Sequence, residues 1–262
     1  MPYWSRVAPR IAVALEQSLA RIAPDDICVA IDVLRATTTL AVLFGNGCVG
    51  VALASSTDEA LRYGRETDSL VCGEEGGLPP PGFDFGNSPV ELARAPTRGR
   101  AVCFATTNGT NALRLAATGQ RAFSAAFVNL GAATNAAWSS LTRAPSDRGR
   151  LVIIAAGTRG AVGIEDVCCA GAIVQRCLAF DPACVLDDGA EVARRAYESV
   201  GGAYEAVRRA AHAQTLIDLG LGDDVAFCGQ LDITGVAPEV SSDSPWPLAI
   251  LPSIGLSAPA PN

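Results

Sequence analysis

"ICVAIDVLRATTTLAVLFGNG", residues 27–47, changes character in its middle. The first seven residues are a β-branched, apolar run that reads as a strand buried on both faces. From Ala36 the apolar spacing suits a helix, which ends at Gly45 or Gly47. Between the two lie Asp32, Arg35 and three threonines. A strand that passes straight into a helix through a polar turn is the building unit of a parallel α/β sheet.

The same unit recurs along the chain. "CVGVALA" (48–54) reads as a second buried strand, and Ser56 with Glu59 forms a capping box for the helix after it. "SLVC" (69–72) is a short strand. The segment 73–87, "GEEGGLPPPGFDFGN", is too rich in Gly and Pro for either regular state. Ser88, Pro89 and Glu91 then repeat the capping pattern. "RAVCFA" (100–105), "AFSAAFVNL" (122–130) and "RLVIIAA" (150–156) read as strands. "TTNGTNALRLAAT", "GAATNAAWSSLTRA" and "IEDVCCAGAIVQRCLA" read as helices, the second with Trp138 and Leu141 on its inner face. From 187 to about 220 the pattern is helical, and 232–236 suits an edge strand. This alternation predicts a largely parallel or mixed sheet with helices on both faces, a three-layer α/β arrangement. Residues 1–236 form one domain, or two lobes divided near 150, and 237–262 is a proline-rich, loose tail.

Composition narrows the chemistry. A chain of 262 residues with 49% hydrophobic and 18% charged residues builds a compact core. Its net charge of −7 argues against nucleic acid as a partner. All 20 basic residues are Arg, which excludes a P-loop lysine and a Schiff-base lysine. The nine cysteines include no C-x-x-C pair and read as small buried hydrophobes in a reducing, cytoplasmic setting. The single histidine, His212, sits in an Ala-rich helical stretch and reads as structural. This argues against a Ser-His-Asp triad and a multi-histidine zinc site. The apolar run near the N-terminus is too short for a signal peptide, and no run suits a membrane span.

Three predicted strand ends are unusually polar: 32–39, 106–111 and 157–166. In open parallel sheets ligands sit beyond the carboxyl ends of strands. At "DVLRATTT", free N–H groups and hydroxyls with Arg35 suit an anion, although a capped helix with an Asp–Arg pair explains the same residues. "TTNGT" offers further donors, with Gly109 permitting a tight turn. Glu165 and Asp166 open a helix, where acids complement its dipole. In the 73–87 loop stand Glu74, Glu75 and the Phe-flanked Asp84. A desolvated carboxylate needs a partner, and Mg²⁺ takes one or two carboxylates with water and phosphate oxygens. The alternative is an Ω-loop held by Phe83 and Phe85, with Asp84 facing water.

Taken in order, "IDVLRATTTLA", "GEEGG…GFDFGNSPVE", "TTNGTNAL" and "GIEDVCCAG" resemble the 2-phosphosulfolactate phosphatase (ComB-like) family, with weaker agreement in "GDDVAFCGQLD". The resemblance implies an α/β/α fold and Mg²⁺-dependent hydrolysis of 2-phospho-3-sulfolactate to sulfolactate and phosphate, a step toward coenzyme M. It places motif positions at Asp32, Arg35, Thr37, Thr38, Glu74, Asp84, Asn87, Ser88, Thr107, Asn108, Thr110, Glu165 and Asp166. The roles expected of them are as follows. Glu74, Asp84, Asp166 and Glu165 hold Mg²⁺. Thr37, Thr38, Asn87, Ser88, Thr107, Asn108 and Thr110 cradle the phosphate, and Arg35 with Arg159 neutralises acid groups. Asp32 orients the attacking water or forms an aspartyl-phosphate. "IIAAG" lacks the cysteine that the family tends to carry near 155, which excludes a thiol nucleophile there. The chain is expected to take a small phosphorylated acid, without nucleic acid or membrane, and a homodimer is compatible with it. A non-catalytic sensor of a phosphorylated or sulfonated metabolite, and a different Mg²⁺-dependent hydrolase or transferase on the same fold, are the rival readings.

Overall fold

The structure is a computed structural model that describes residues 7–144, 149–241 and 249–252. In chain order its strands are β1 (Arg10–Ala14), β2 (Ile27–Ile31), β3 (Gly50–Leu53), β4 (Leu70–Gly73), β5 (Ala101–Ala105), β6 (Arg121–Ala125), β7 (Leu151–Ala155), β8 (Val185–Leu186), β9 (Pro238–Ser241) and β10 (Ala249–Pro252). The helices are α1 (Ala36–Gly45), α2 (Thr57–Thr67), α3 (Pro89–Leu92), α4 (Gly109–Ala116), α5 (Leu130–Arg143), α6 (Ile164–Phe180), α7 (Asp188–Val200), α8 (Ala203–Arg208), α9 (Ala211–Asp218) and α10 (Gly222–Cys228). One mixed sheet runs β4-β5-β3-β10-β9-β6-β2-β7-β1-β8.

β2 lies deep in this sheet, parallel to β6 and β7, with Val29 level with Phe123 and Ile153. Its side chains alternate between two cores, as strand geometry requires. Ile27, Val29 and Ile31 join the core that includes Ala133 and Ala137 of α5, Val167 and Ile173 of α6 and Ala193 of α7. Cys28 and Ala30 join the core that contains Leu40 and Leu43 of α1 and Leu113 of α4. The sheet is therefore a middle layer between two helical layers. The second core also takes Val51 and Leu53 of β3 and Val102 and Phe104 of β5. α1 and α4 thus bridge the two halves of the sheet, which brings the loops after β4 and β5 toward the ends of β2 and β7.

Both predicted N-caps form, since Ser56 accepts from the Glu59 N–H and Ser88 from the Glu91 N–H, but neither box closes: Glu59 accepts instead from the Ser55 N–H and Glu91 from the Gly86 N–H. Trp138 and Leu141 pack on the first core, and the Trp138 ring lies 5.4 Å from Phe180. Other expectations need correction. The helical stretch from 187 to 220 is three helices: Gly201 and Gly202 take φ of 89° and 111° after α7, and Ala210 is extended before α9. Residues 232–236 form no strand. Asp232 has φ 52°, and the Asp232 and Thr234 N–H groups instead donate to Phe127 and Val128 carbonyls. β1 and β8 were not foreseen. The segment read as a loose tail supplies β9 and β10, an antiparallel pair seated between β6 and β3. Pro238 and Pro252 stand at the outer ends of these strands, where a missing N–H is tolerated. Residues 242–248 and 253–262 of that segment lie outside the described residues, as do residues 1–6.

Candidate active site

Four strand ends meet at a cavity of about 140 Å³, room for a small ligand. Asp32, Leu34 and Arg35 after β2, Glu74, Gly76 and Gly77 after β4, Thr106 to Asn108 after β5 and Thr158 and Arg159 after β7 form its walls. Asn87 closes one side, and His212 with Thr215 of α9 closes another.

Asp32 is 7% exposed at the end of the central strand. Its Oδ1 accepts the Ala36 N–H at 3.2 Å, while Oδ2 has no hydrogen-bond partner among the described residues. Burial pushes its carboxyl up to about 7, and the nearby charges of Glu74 and Glu165 add to that rise. The Ala36 N–H and Arg35 act in the opposite direction. A carboxyl poised near neutrality in a cleft is suited to proton transfer or to holding water.

Arg35 follows a cis Leu34–Arg35 peptide. Its Nη1 donates to Asp224 Oδ2 at 2.7 Å and its Nη2 to the Gly77 carbonyl at 2.7 Å. Both ion-pair side chains are 2% exposed. Asp224 also accepts from Ser88 Oγ at 2.6 Å and from the Val90 N–H. One carboxylate thus ties α10, α3 and the turn after β2 together, and Arg35 arrives at the cavity with its charge already matched.

Glu74 bridges two loops: Oε2 accepts the Gly77 N–H and Oε1 the Thr107 N–H. Gly73, just before it, has φ 150°, and a Cβ there would meet the Ala105 carbonyl oxygen at 2.0 Å. Asn87 is 4% exposed, and its Oδ1 has no hydrogen-bond partner among the described residues. Asn108 Oδ1 accepts the Arg159 N–H at 3.4 Å. The Arg159 guanidinium has no ion pair or hydrogen bond among the described residues. It is the cation in this cavity left available to an anion.

The remaining predicted site residues lie outside the cavity lining. The hydroxyls of Thr37 and Thr38 donate back to the carbonyls of Asp32 and Val33, and Thr110 donates to Thr106. These hydroxyls complete helix starts in place of cradling an anion. Ser88 serves α3 and Asp224. Asp84 is exposed on the outer edge of the sheet, where its Oδ2 accepts the Val71 N–H at 2.7 Å. Among the described residues no strand lies beyond β4; the loop runs there instead, bridging Cys72 to Phe85, and the Asp84 carboxylate supplies a further hydrogen bond to this edge. Phe83 and Phe85 pack inward beside it. The Ω-loop alternative therefore describes this stretch better than a metal ligand does, with Asp84 turned to the backbone.

Glu165 and Asp166 are buried behind the cavity at the start of α6. Asp166 accepts the Val33 N–H at 2.8 Å and the Gly157 N–H at 3.0 Å, locking the ends of β2 and β7 together. Burial, then Glu165 and Asp32, hold the Asp166 carboxyl well above the usual range. Burial also raises that of Glu165. Three acids crowd here without an ion-pair partner among the described residues.

Among the described residues no group of three or more His, Cys, Asp or Glu side chains is arranged to hold a metal. The expected set of Glu74, Asp84, Glu165 and Asp166 is not gathered in one place. A smaller set does fit Mg²⁺, which takes one or two carboxylates and completes its shell with water and phosphate oxygens. Glu74 and Asp32 both line the cavity.

Asp224 and His212 were missed from the sequence. Asp224 lay in a stretch with only weak motif agreement, and its partner is 189 residues away. The one signal for His212 was its being the only histidine. Gly109 is needed for a reason other than a tight turn. A Cβ there would lie 2.3 Å from Ala36 Cβ and 2.6 Å from Asp32 Oδ2. Gly109→Ala is expected to cost about 1–3 kcal/mol in urea unfolding. It is also expected to lower turnover by up to about 10²-fold, through displacement of Asp32.

The family model described as 2-phosphosulpholactate phosphatase matches residues 14–243. A "Probable 2-phosphosulfolactate phosphatase" of Deinococcus radiodurans is 41% identical over 216 residues, 81% of this chain and 87% of that protein. Proteins with the same description from Thermotoga petrophila and Thermus thermophilus are 36% and 35% identical. Those matches cover 80% and 83% of this chain, and 87% and 89% of the relatives.

Proposed function

The chain belongs to the 2-phosphosulfolactate phosphatase family and is a phosphate-monoester hydrolase; we propose that it hydrolyses 2-phospho-3-sulfolactate to 3-sulfolactate and phosphate with the help of Mg²⁺, a reaction of the coenzyme M biosynthetic type. The observation that carries this reading is the cavity at the strand ends. It joins two carboxylates, Asp32 and Glu74, to a guanidinium, Arg159, that has no protein partner among the described residues. A phosphate ester bearing further acid groups supplies the anions that such a site lacks.

Glu74, with the charge of Asp32 across the cavity, would hold Mg²⁺. When bound, the ion supplies positive charge to the phosphate oxygens. Arg159 pairs with an acid group of the substrate, and the Asn87 amide, whose Oδ1 has no hydrogen-bond partner among the described residues, reaches a polar atom of it. Asp32 presents Oδ2, its free oxygen, to the attacking water and orients it. In phosphoryl transfer such positioning and charge stabilisation account for most of the rate gain.

Phosphate release from 2-phospho-3-sulfolactate by the purified protein tests this, with parallel assays on 2-phospholactate and other phosphorylated hydroxy acids. Activity should vanish with a chelator and return with Mg²⁺. Faster release from another ester would replace the substrate, and full activity after chelation would remove the ion.

A further inference from the structure

We propose that His212 is a catalytic residue, the group that protonates the leaving alcohol oxygen. The inference rests on the phosphatase reading and assigns it a further step. A secondary alkoxide is a poor leaving group, so breaking its bond to phosphorus is helped by a proton delivered to that oxygen. The titratable side chains that line the cavity are Asp32, Arg35, Glu74, Arg159 and His212. Arginine keeps its proton. Asp32 faces the water, and Glu74 has both oxygens engaged by backbone N–H groups. Imidazole is left as the proton carrier.

Its placement suits the task. His212 is half-buried on α9, with Thr215 on the same face of the helix and also at the cavity. The ring has no hydrogen-bond partner among the described residues, so both nitrogens are open to a ligand. The helix itself is held. The Leu221 N–H donates to the Leu216 carbonyl at 2.8 Å, joining α9 to α10. α10 is pinned in turn by the buried Arg35–Asp224 pair. Burial, then Arg35, keep the empty-site imidazole below its usual value, with Glu74 opposing and Arg159 adding to the fall. A dianionic ester in the cavity offsets the two arginines and favours the imidazolium.

The step balances. Water oxygen forms the new bond to phosphorus as the bond from phosphorus to the alcohol oxygen breaks. The electron pair of that bond stays on the alcohol oxygen, which takes the proton from His212. The water proton passes to Asp32, and exchange with solvent resets both side chains.

His212→Asn and His212→Gln, assayed with Mg²⁺ on 2-phospholactate, phenyl phosphate and p-nitrophenyl phosphate, test this. As the leaving group becomes more acidic it needs less help. For both variants kcat on 2-phospholactate should fall by about 10²-fold or more, while kcat on the most acidic leaving group stays within about threefold of wild type. All esters are assayed on one preparation, so their ratio is insensitive to any misfolded fraction. Equal losses across the series, or no loss on any ester, would overturn the assignment. Wild-type protein inactive on every ester would remove the phosphatase reading along with it, a result distinguishable from the other two.

Discussion

Asp32→Asn is expected to lower kcat by roughly 10³-fold and, in the same protein, to raise the melting temperature measured without metal. The two effects have one cause. Asp32 is held at the end of β2 where burial disfavours its charge, and its carboxyl sits at about 7 against 3.8 when unperturbed. Its folded-state value is above the unfolded one. The stability it confers is therefore fully present below about pH 4 and is lost as pH rises through about 7. At pH 8 the ionised side chain strains the fold, and asparagine removes that charge at constant shape. The gain is on the order of 1–4 kcal/mol. Thermal unfolding of wild type without metal should therefore weaken from pH 5 to pH 8. The variant should show a shallower slope, set by Glu165 and Asp166, whose shifts have the same sign, and by His212, whose lowered value opposes them. A variant as active as wild type would remove Asp32 from the chemistry, and one that is inactive and less stable would contradict the electrostatic account.

Asp224→Ala should destabilise by about 3–5 kcal/mol in urea, because it leaves the Arg35 charge buried without its partner. Ser88 Oγ and the Val90 N–H lose their acceptor at the same time. Turnover should fall as well, since Arg35 and α9 meet the cavity through this pair. The double variant Arg35→Met with Asp224→Leu separates the two consequences. Removing both charges should restore most of the stability, yet activity should stay low because the turn after β2 has lost its tie to Gly77. Near-wild-type stability of the single alanine variant would show that the pair is not the anchor proposed.

The N-caps at Ser56 and Ser88 and the passage from β2 into α1 were legible because each depends on neighbours within a few residues. The strand ends at Asp32, Glu74, Thr107 and Arg159 were legible for a related reason. In a parallel sheet polar residues after buried strands collect on one side. Side-chain direction was not legible. Asp84 reads like a ligand in the sequence, but its loop runs along the outer edge of β4, and its carboxylate accepts the Val71 N–H there. Thr37 and Thr38 look like anion donors until the helix start takes their hydroxyls.

The sequence by itself determined the α/β class, the family and the level of the sheet at which the site lies. These follow from periodicity and from short motifs whose geometry is local. Only the tertiary structure decided which acids share a cavity, that Arg35 belongs to Asp224, that His212 faces the site, and that the C-terminal strands sit inside the sheet. Each of these depends on packing between residues far apart in the chain, which no local pattern encodes.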